Sequence, residues 1–398
     1  MPNVVTKVVA SGLCSGCGAC ASAGNRGPVH MKLNPDGFLR PLVEGELTPG
    51  FKRLFRRICP GMTLRLRTDA PQTHAEWGPI HEVRTGWAAD PEIRYRGSSG
   101  GVLSALLIYL LESGGADFVA HVAVSTDDPL LNIRRISRTR DEVLSGAGSR
   151  YAPAAVLDDI DALFESGHRF AFVGKPCDVA ALRAYLAVHT ERAPQVVMIL
   201  SFMCAGVPSM AGTHEVLAAL GTNAVETASF AYRGNGWPGF ATARTVDGRE
   251  LKMDYGASWG KILGKRLQLR CKVCPDGTGE FADITCADAW HGPDGYPDFE
   301  ERAGRSLIIS RTHAGEDLVR AALAAQAVCA EECAIDAIAD MQPYQLMRKQ
   351  VVLGRLAAVI VRRRILPSYS GLRLWRAAQR GGWKGVLRNA LGTFRRLG

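Results

Sequence analysis

Hydrophobic residues between positions 85 and 340 follow two alternating spacings. In GGVLSALLIYLLESGG they recur at the helical spacing, and this segment follows Ser98 and Ser99 and ends at Gly114 and Gly115, which indicates a helix. The next apolar segment, DFVAHVAVS, is typical of a strand. Further along, the same alternation predicts a helix in AVLDDIDALFESG, a strand in RFAFVG, a helix in CDVAALRAYLAVH, a strand in QVVMILSF and a helix in SMAGTHEVLAALG. Such alternation predicts an α/β core with a mostly parallel sheet.

The same pattern suggests where the chain divides. Residues 66–84 contain prolines and charges, and we predict that they connect an N-terminal segment, residues 1–65, to the α/β domain. We divide that domain into residues 85–168 and 169–343. The last segment, residues 344–398, contains 13 Lys and Arg and no Asp or Glu, and predicts a basic amphipathic tail. Such a tail fits a peripheral membrane contact, an acidic partner subunit or a solvated helical face, and we expect no nucleic acid partner.

Composition and hydropathy favour a cytoplasmic protein. The chain is 47% hydrophobic and 22% charged, as ordinary soluble proteins are. The start MPNVVTKVVASG has no long apolar run after a basic region, so we expect no secretory signal. The most apolar stretch, VVLGRLAAVIV, contains Arg355 and is shorter than the ~20 residues that a membrane span needs.

Eleven cysteines are many for a reducing compartment, where they serve more often as metal ligands or reactive groups than as disulfides. Cys14, Cys17 and Cys20 are each separated by two residues, as are thiolate ligands of four-iron clusters. Cys59 is the next cysteine and precedes Pro60, as the remote ligand does in ferredoxin-type sites. We therefore predict a ferredoxin-like 4Fe–4S segment. Zinc is the competing metal, but its sites usually use two separated pairs of ligands.

Four further cysteines follow the predicted strands. Cys177 and Cys204 each come directly after a strand, and the carboxyl ends of parallel strands meet at one edge of a sheet. Cys271 and Cys274 form a close pair in RCKVC. These four thiols suffice for a second cluster, although zinc or ordinary burial explains each part separately.

Six segments in order resemble the coenzyme F420 hydrogenase/dehydrogenase beta-subunit family of iron–sulfur flavoproteins. They are RGSSGGVLSALLIYLLESG, GAGSRYAPAAVL, FVGKPCDVAALR, SFMCAGVPS, YRGNGWPGFA and RCKVCPDGTGEFADITCADAW. The resemblance implies FAD beside a 4Fe–4S cluster on Cys177, Cys204, Cys271 and Cys274. Longer members, similar to 7-hydroxymethyl chlorophyll a reductase, have a further N-terminal cluster, which matches Cys14, Cys17, Cys20 and Cys59.

Three cysteines remain outside these groups. Cys286 stands where relatives more often have Val or Gly. Its thiol is an alternative cluster ligand, but we expect it to pack within a strand. Cys329 and Cys333 lie in an Ala-rich helical pattern, AALAAQAVCAEECAIDAIA, and we expect both to be buried on one helix face.

Candidates for holding FAD agree with the resemblance. The residues before the predicted helix offer backbone N–H groups to an anion, and GSRY adds a hydroxyl, a cation and an aromatic ring. A helix N-cap without a ligand is the alternative. The glycine-rich loop RGNGWPG is a further candidate, whereas no GxGxxG follows a strand to indicate NAD. The predicted flavin residues are Ser98, Ser99, Gly100, Gly101, Gly148, Ser149, Arg150, Tyr151 and Asn235.

The resemblance implies an oxidoreductase. We expect reduced ferredoxin, an acidic carrier, to supply electrons through two 4Fe–4S clusters to FAD and on to a small organic substrate. The alternatives are an oxidoreductase that depends on coenzyme F420, and a non-catalytic electron-transfer subunit of a hydrogenase or dehydrogenase complex. Lys175 and Asp178 flank Cys177 and are candidates for a role near the flavin or in tuning a cluster. No catalytic acid is assigned.

Overall fold

The computed structural model describes residues 3–22, 27–292, 298–363 and 365–397. None of the helices in these ranges is long and apolar enough to cross a bilayer. The α-helices are α1 Val4–Ala10, α2 Ala19–Ser22, α3 Pro49–Ile58, α4 Pro91–Arg96, α5 Val102–Glu112, α6 Arg140–Ser145, α7 Ala162–Glu165, α8 Pro176–Leu186, α9 Met210–Ala219, α10 Leu269–Lys272, α11 His313–Ala324, α12 Ala337–Met341, α13 Pro343–Arg363, α14 Leu374–Gly381 and α15 Trp383–Arg396. Short helices of other types span Thr190–Gln195, Gly256–Ile262 and Leu263–Lys265.

The strands form one large sheet and several small ones. They are β1 Val29–Leu33, β2 Leu39–Val43, β3 Thr63–Arg65, β4 Gln72–His74, β5 Gly78–Ile80, β6 Glu82–Ala88, β7 Phe118–Val124, β8 Asn132–Ser137, β9 Phe170–Gly174, β10 Val196–Phe202, β11 Thr227–Ala231, β12 Phe240–Thr245, β13 Glu250–Asp254, β14 Ile284–Asp288, β15 Ser306–Ser310, β16 Val328–Glu332 and β17 Ser368–Ser370.

The large sheet has eight strands in the order β16-β6-β15-β14-β10-β9-β7-β8. Only β14, β10, β9 and β7 are parallel neighbours, whereas the other pairings are antiparallel. The α/β class is thus confirmed, but the prediction of a mostly parallel sheet is wrong because the sheet is mixed. Short connections explain part of the difference: residues 125–131 between β7 and β8 are too few for the crossover that a parallel pair needs.

Most of the predicted elements occur where the hydrophobic pattern indicated. Helices α5, α8 and α9 and strands β7, β9 and β10 confirm six of these predictions. The segment AVLDDIDALFESG is the exception, since only Ala162–Glu165 is α-helical. Its backbone bonds to other segments instead: Leu157 N–H donates to the Cys17 carbonyl, and Arg134 donates to the carbonyls of Val156 and Asp158.

The helix predicted around Cys329 and Cys333 is wrong as well. Val328–Glu332 is the edge strand β16, which pairs antiparallel with β6 and sets Cys329 opposite Trp87. Val328 is buried and Cys329 exposed, as the two faces of a strand require. Cys333 is half-buried just beyond the strand, so the expected burial on one helix face is also wrong.

Both ends of the chain pack onto the α/β domain. Val5, Phe55 and Ile58 from the N-terminal segment share one hydrophobic core with Phe118 and Phe170 from the large sheet. Strand β17 pairs parallel with β3, directly after Cys59, while α13 packs against α14 and α15. The described parts of this region, residues 344–363 and 365–397, therefore form a folded layer that reaches the N-terminal cysteine segment.

Candidate functional site

The first four predicted cysteine ligands lie together. Cys14, Cys17 and Cys20 lie between α1 and the end of α2, and Cys59 ends α3; all four line one small cleft. Burial raises the pKa of each of the four thiols. Repulsion from the thiolates of Cys17 and Cys14 raises the pKa of Cys59 further. Four thiols that line one small cleft repel one another when ionised unless a cation shares them.

Backbone N–H groups act on two of these thiols. The N–H of Gly16 lowers the pKa of Cys14, and those of Gly61 and Met62 lower the pKa of Cys59, against the effect of burial. Hydrogen bonds to thiolate sulfur are among the means by which proteins tune iron–sulfur potentials. The local fold therefore supplies what a metal-bound thiolate requires.

The second group of predicted ligands converges from three segments. Cys177 lies in the first turn of α8, Cys204 follows β10, and Cys271 and Cys274 belong to α10 and the loop after it. As thiolates, Cys177 and Cys204 each interact with Cys274, and burial raises the pKa of all three. The Cys271 sulfur accepts hydrogen bonds from Val207 N–H (3.3 Å) and Gln268 Nε2 (3.4 Å).

The donor set fits iron–sulfur clusters in its chemistry. Each group consists of four cysteines, and thiolates are the usual protein ligands of four-iron clusters. Across the described ranges, no three His, Cys, Asp or Glu side chains are arranged to hold a single metal ion. In a cubane each thiolate binds its own iron, so the four sulfurs stand farther apart than the ligands of one ion.

Beside the second group lies a cavity of about 680 Å³, within the size range of cofactor sites. Its walls contain the start of α5, the segment 146–152 and residues around Tyr255 and Trp290. Seven predicted flavin residues line it: Ser98, Ser99, Gly101, Gly148, Ser149, Arg150 and Tyr151. Gly100 and Asn235 are not among its described lining residues.

The loop before α5 is held by hydroxyl groups. Ser149 Oγ donates to Ser98 Oγ (2.7 Å), Ser99 Oγ donates to the Arg305 carbonyl (2.9 Å), and Gly100 N–H donates to Ser306 Oγ (2.9 Å). Gly101 has a positive φ of 74°, which a side chain rarely adopts. The loop thereby directs the first turn of the eleven-residue helix α5 into the cavity, where its unpaired N–H groups suit an anion.

Among the predicted flavin residues, Arg150 lines the cavity while bonding to the protein itself, and Asn235 lies outside the described lining. The Arg150 guanidinium donates to Asn132 Oδ1 (2.8 Å) and the Phe230 carbonyl (2.7 Å), and it lies 5.1 Å from the centre of the Tyr232 ring. These contacts brace the cavity wall. Burial also lowers the pKa of Arg150. Asn235 is exposed and has a positive φ of 54° in its loop.

Sequence reasoning missed a buried ion pair in the same wall. Arg233 forms two hydrogen bonds to the Asp288 carboxylate (2.9 and 2.6 Å), and its guanidinium stacks near the rings of Tyr255 and Trp290. Trp237 stacks on Trp290 at 4.9 Å and is buried. Both sequence segments, YRGNGWPG and ADAW, carry the resemblance, but their pairing across 55 residues has no local signal.

The cavity meets the second cysteine group at Cys204, which belongs to both. Lys175 and Asp178, which also line the cavity, form a buried pair with Nζ–oxygen distances of 2.6 and 2.8 Å. Arg348 from α13 donates to the carbonyls of Cys204 and Cys271. Cys286 is buried within β14, as expected, and also lines the cavity.

Two sequence models match this chain, and both describe the beta subunits of coenzyme F420 hydrogenase/dehydrogenase. The model of the N-terminal part of these subunits matches residues 83–160, and the model of their C terminus matches residues 167–337. Together they include the cavity lining as far as Ser306 and the second cysteine group, but not the N-terminal group or α13.

Similar proteins are also described by coenzyme F420. The chain is 24% identical over 355 residues to the coenzyme F420-dependent sulfite reductase of Methanocaldococcus jannaschii, covering 82% of this chain and 49% of that protein. It is 28% identical over 251 residues to the coenzyme F420 hydrogenase subunit beta of Methanococcus voltae, covering 58% and 76%. The chain thus spans about half the length of the sulfite reductase. A chain of the F420-reducing [NiFe] hydrogenase complex of Methanosarcina barkeri shares its fold, with a TM-score of 0.54 and 18% identity over 71% of this chain and 96% of that one.

Proposed function

The chain belongs to the coenzyme F420 hydrogenase/dehydrogenase beta-subunit family, and we propose that it is an iron–sulfur flavoprotein oxidoreductase linked to F420. In this proposal the 680 Å³ cavity holds FAD, and the two cysteine groups each hold a 4Fe–4S cluster. A flavin, when bound, exchanges single electrons with a cluster and a hydride with an organic molecule.

The observation that carries the proposal is the position of Cys204. This residue lines the cavity and, as a thiolate, interacts with Cys271 and Cys274. A cofactor in the cavity therefore lies against a predicted cluster ligand. Lys175 and Arg233, both buried in the cavity wall beside carboxylates, fix the electrostatic surroundings of whatever binds there.

Aromatic rings and α13 flank the cavity. Trp290 and Tyr255 line one side of it, Trp237 stacks on Trp290, and Arg348 ties α13 to the carbonyl groups of the Cys204 loop. A reduced flavin is protected from side reactions when solvent is kept away. The small organic substrate that we expect is then the molecule that enters from the open side.

We favour F420 as the two-electron partner because the sulfite reductase and the hydrogenase subunit that resemble this chain are both named for this coenzyme. Assembly with a larger partner protein belongs to the same proposal, since one relative is a hydrogenase subunit and the structural match is to a hydrogenase complex.

A second candidate donor is an acidic ferredoxin, and the surface of α15 favours it. Trp383, Leu387 and Leu391 are exposed at helical spacing, and Lys384 and Arg388 stand beside them. Residues 344–398 contain no acidic residue that would oppose an acidic carrier. Electrostatic steering of this kind raises association rates and is weakened by salt.

The donor is tested by adding F420H₂ or reduced ferredoxin anaerobically and following flavin absorbance. For the F420-linked function we expect rapid bleaching by F420H₂ that persists when the N-terminal group is disrupted by Cys17→Ser. For ferredoxin, bleaching falls steeply between low and ~0.3 M salt. It also slows severalfold in Lys384→Glu/Arg388→Glu, with Lys252→Glu on β13 as the matched exposed control. If neither donor bleaches the flavin, the proposed function is contradicted.

A further inference from the structure

A buried arginine lies between the two cysteine groups. Arg270 directly precedes Cys271, and only 2% of its surface is exposed. Its Nη2 donates to the carbonyl of Pro60 (2.9 Å), the residue after Cys59. Its Nη1 donates to Tyr369 Oη (2.7 Å). The side chain of Arg270, on the segment of the second cysteine group, is therefore bonded to the segment of the first cysteine group.

One nitrogen of the Arg270 guanidinium, the buried Nε, has no hydrogen-bond partner among the described residues. A buried N–H without an acceptor costs about 1–3 kcal/mol, so such a group usually has a partner that the polypeptide does not supply. The positive charge of Arg270 also acts on thiolates of both groups, Cys177, Cys271 and Cys274 on one side and Cys14 on the other. Cluster sulfur is an acceptor suited to this position.

Neighbouring contacts hold this arginine in place. Gln268 Nε2 lies 3.4 Å from both the Ser15 carbonyl and the Cys271 sulfur, so the same turn touches both cysteine segments a second time. Tyr369 is set by β17, which pairs with β3 directly after Cys59. Its hydroxyl is 3.4 Å from the carbonyls of Pro60 and Gly61.

We propose that Arg270 is a positioning residue that couples the two cysteine-bound clusters, by holding their segments together and by stabilising the added electron on either one with its fixed charge. One electron from an external reductant adds one negative charge beside the guanidinium. A buried cation at short range stabilises such a charge far more than one in water does. This inference rests on the proposed function only in that both clusters must be present.

The test is a potentiometric titration with dithionite, monitored by EPR, of the anaerobically purified full chain and of three variants. In Arg270→Gln we expect full iron content but lower potentials, so that the equilibrium constant for reduction falls about tenfold, which is ~59 mV for one electron. In Arg270→Lys, which keeps the charge, most of that loss is restored. Arg355→Gln is the matched control, because Arg355 donates to the Lys272 carbonyl of the same turn and bonds to no cysteine sulfur within the described residues.

The outcomes separate the two claims. Wild-type protein without iron contradicts the proposed function. Full iron with unchanged potentials in Arg270→Gln, or an equal shift in Arg355→Gln, overturns the role of Arg270. If Arg270→Gln does not retain iron, Arg270→Lys decides: normal iron and potentials support the charge, whereas equal loss of iron shows a packing role alone and rejects the proposal.

Discussion

Cys271→Ser is expected to remove the second cluster and to destabilise the whole α/β domain. The protein should lose roughly four of about eight irons, together with a large part of its flavin. The Cys271 sulfur accepts hydrogen bonds from Val207 and from Gln268 of its own turn, and its carbonyl accepts one from Arg348 of α13, so two other segments meet at this position. Since metal binding contributes directly to folding free energy, the midpoint of thermal unfolding should fall as well. Iron analysis and calorimetry measure both effects.

Two other cysteines provide the controls. Cys17→Ser should lose only the N-terminal cluster and keep flavin, because Cys17 lines the small cleft and is not among the residues that line the cavity. Cys329→Ser should lose nothing, since this thiol is exposed on the edge strand β16. Full iron and normal thermal stability in Cys271→Ser would show that the second cluster is wrongly assigned.

Lys175→Met is expected to reduce the free energy of unfolding by about 3–5 kcal/mol. Asp178 is fully buried, and Lys175 Nζ is its charged partner at 2.6 and 2.8 Å. Removing the lysine leaves a buried carboxylate uncompensated, which costs far more than the pair contributes while intact. Denaturant unfolding of the variant and the parent measures the difference.

The double variant Lys175→Met/Asp178→Asn separates charge from packing. Without the carboxylate no uncompensated charge remains, so at least half of the lost stability should return. Arg244→Met is a matched control, because Arg244 pairs with Glu250 at 2.8 Å on an exposed surface, where such pairs contribute less than ~1 kcal/mol. A Lys175→Met protein as stable as the parent would mean that the pair does not compensate a buried charge.

The sequence allowed prediction of what depends on local spacing. The helix Val102–Glu112 and the strands Phe118–Val124 and Phe170–Gly174 follow directly from their apolar periods. Cysteine spacing likewise predicted two sets of four thiols, and the structure brings each set together. Family resemblance supported the predicted flavin residues, seven of which line the cavity.

What could not be predicted depends on contacts between distant segments. Arg233 meets Asp288, and Arg270 meets Tyr369 across 99 residues, without any local pattern that marks either pair. The failed helix in AVLDDIDALFESG has the same origin, because the N-terminal cysteine segment takes up its backbone groups. The C-terminal helices were expected as a tail, but α13 reaches the Cys204 loop through Arg348. Tertiary contacts override local propensity in each case.

The central claim is that this chain carries two four-iron clusters and one flavin. It is tested most directly by anaerobic purification of the full chain, followed by iron, sulfide, zinc and flavin analysis on the same sample. The account predicts about eight irons, about eight sulfides and one FAD per chain. Zinc in place of iron, or a protein without extractable flavin, would contradict it.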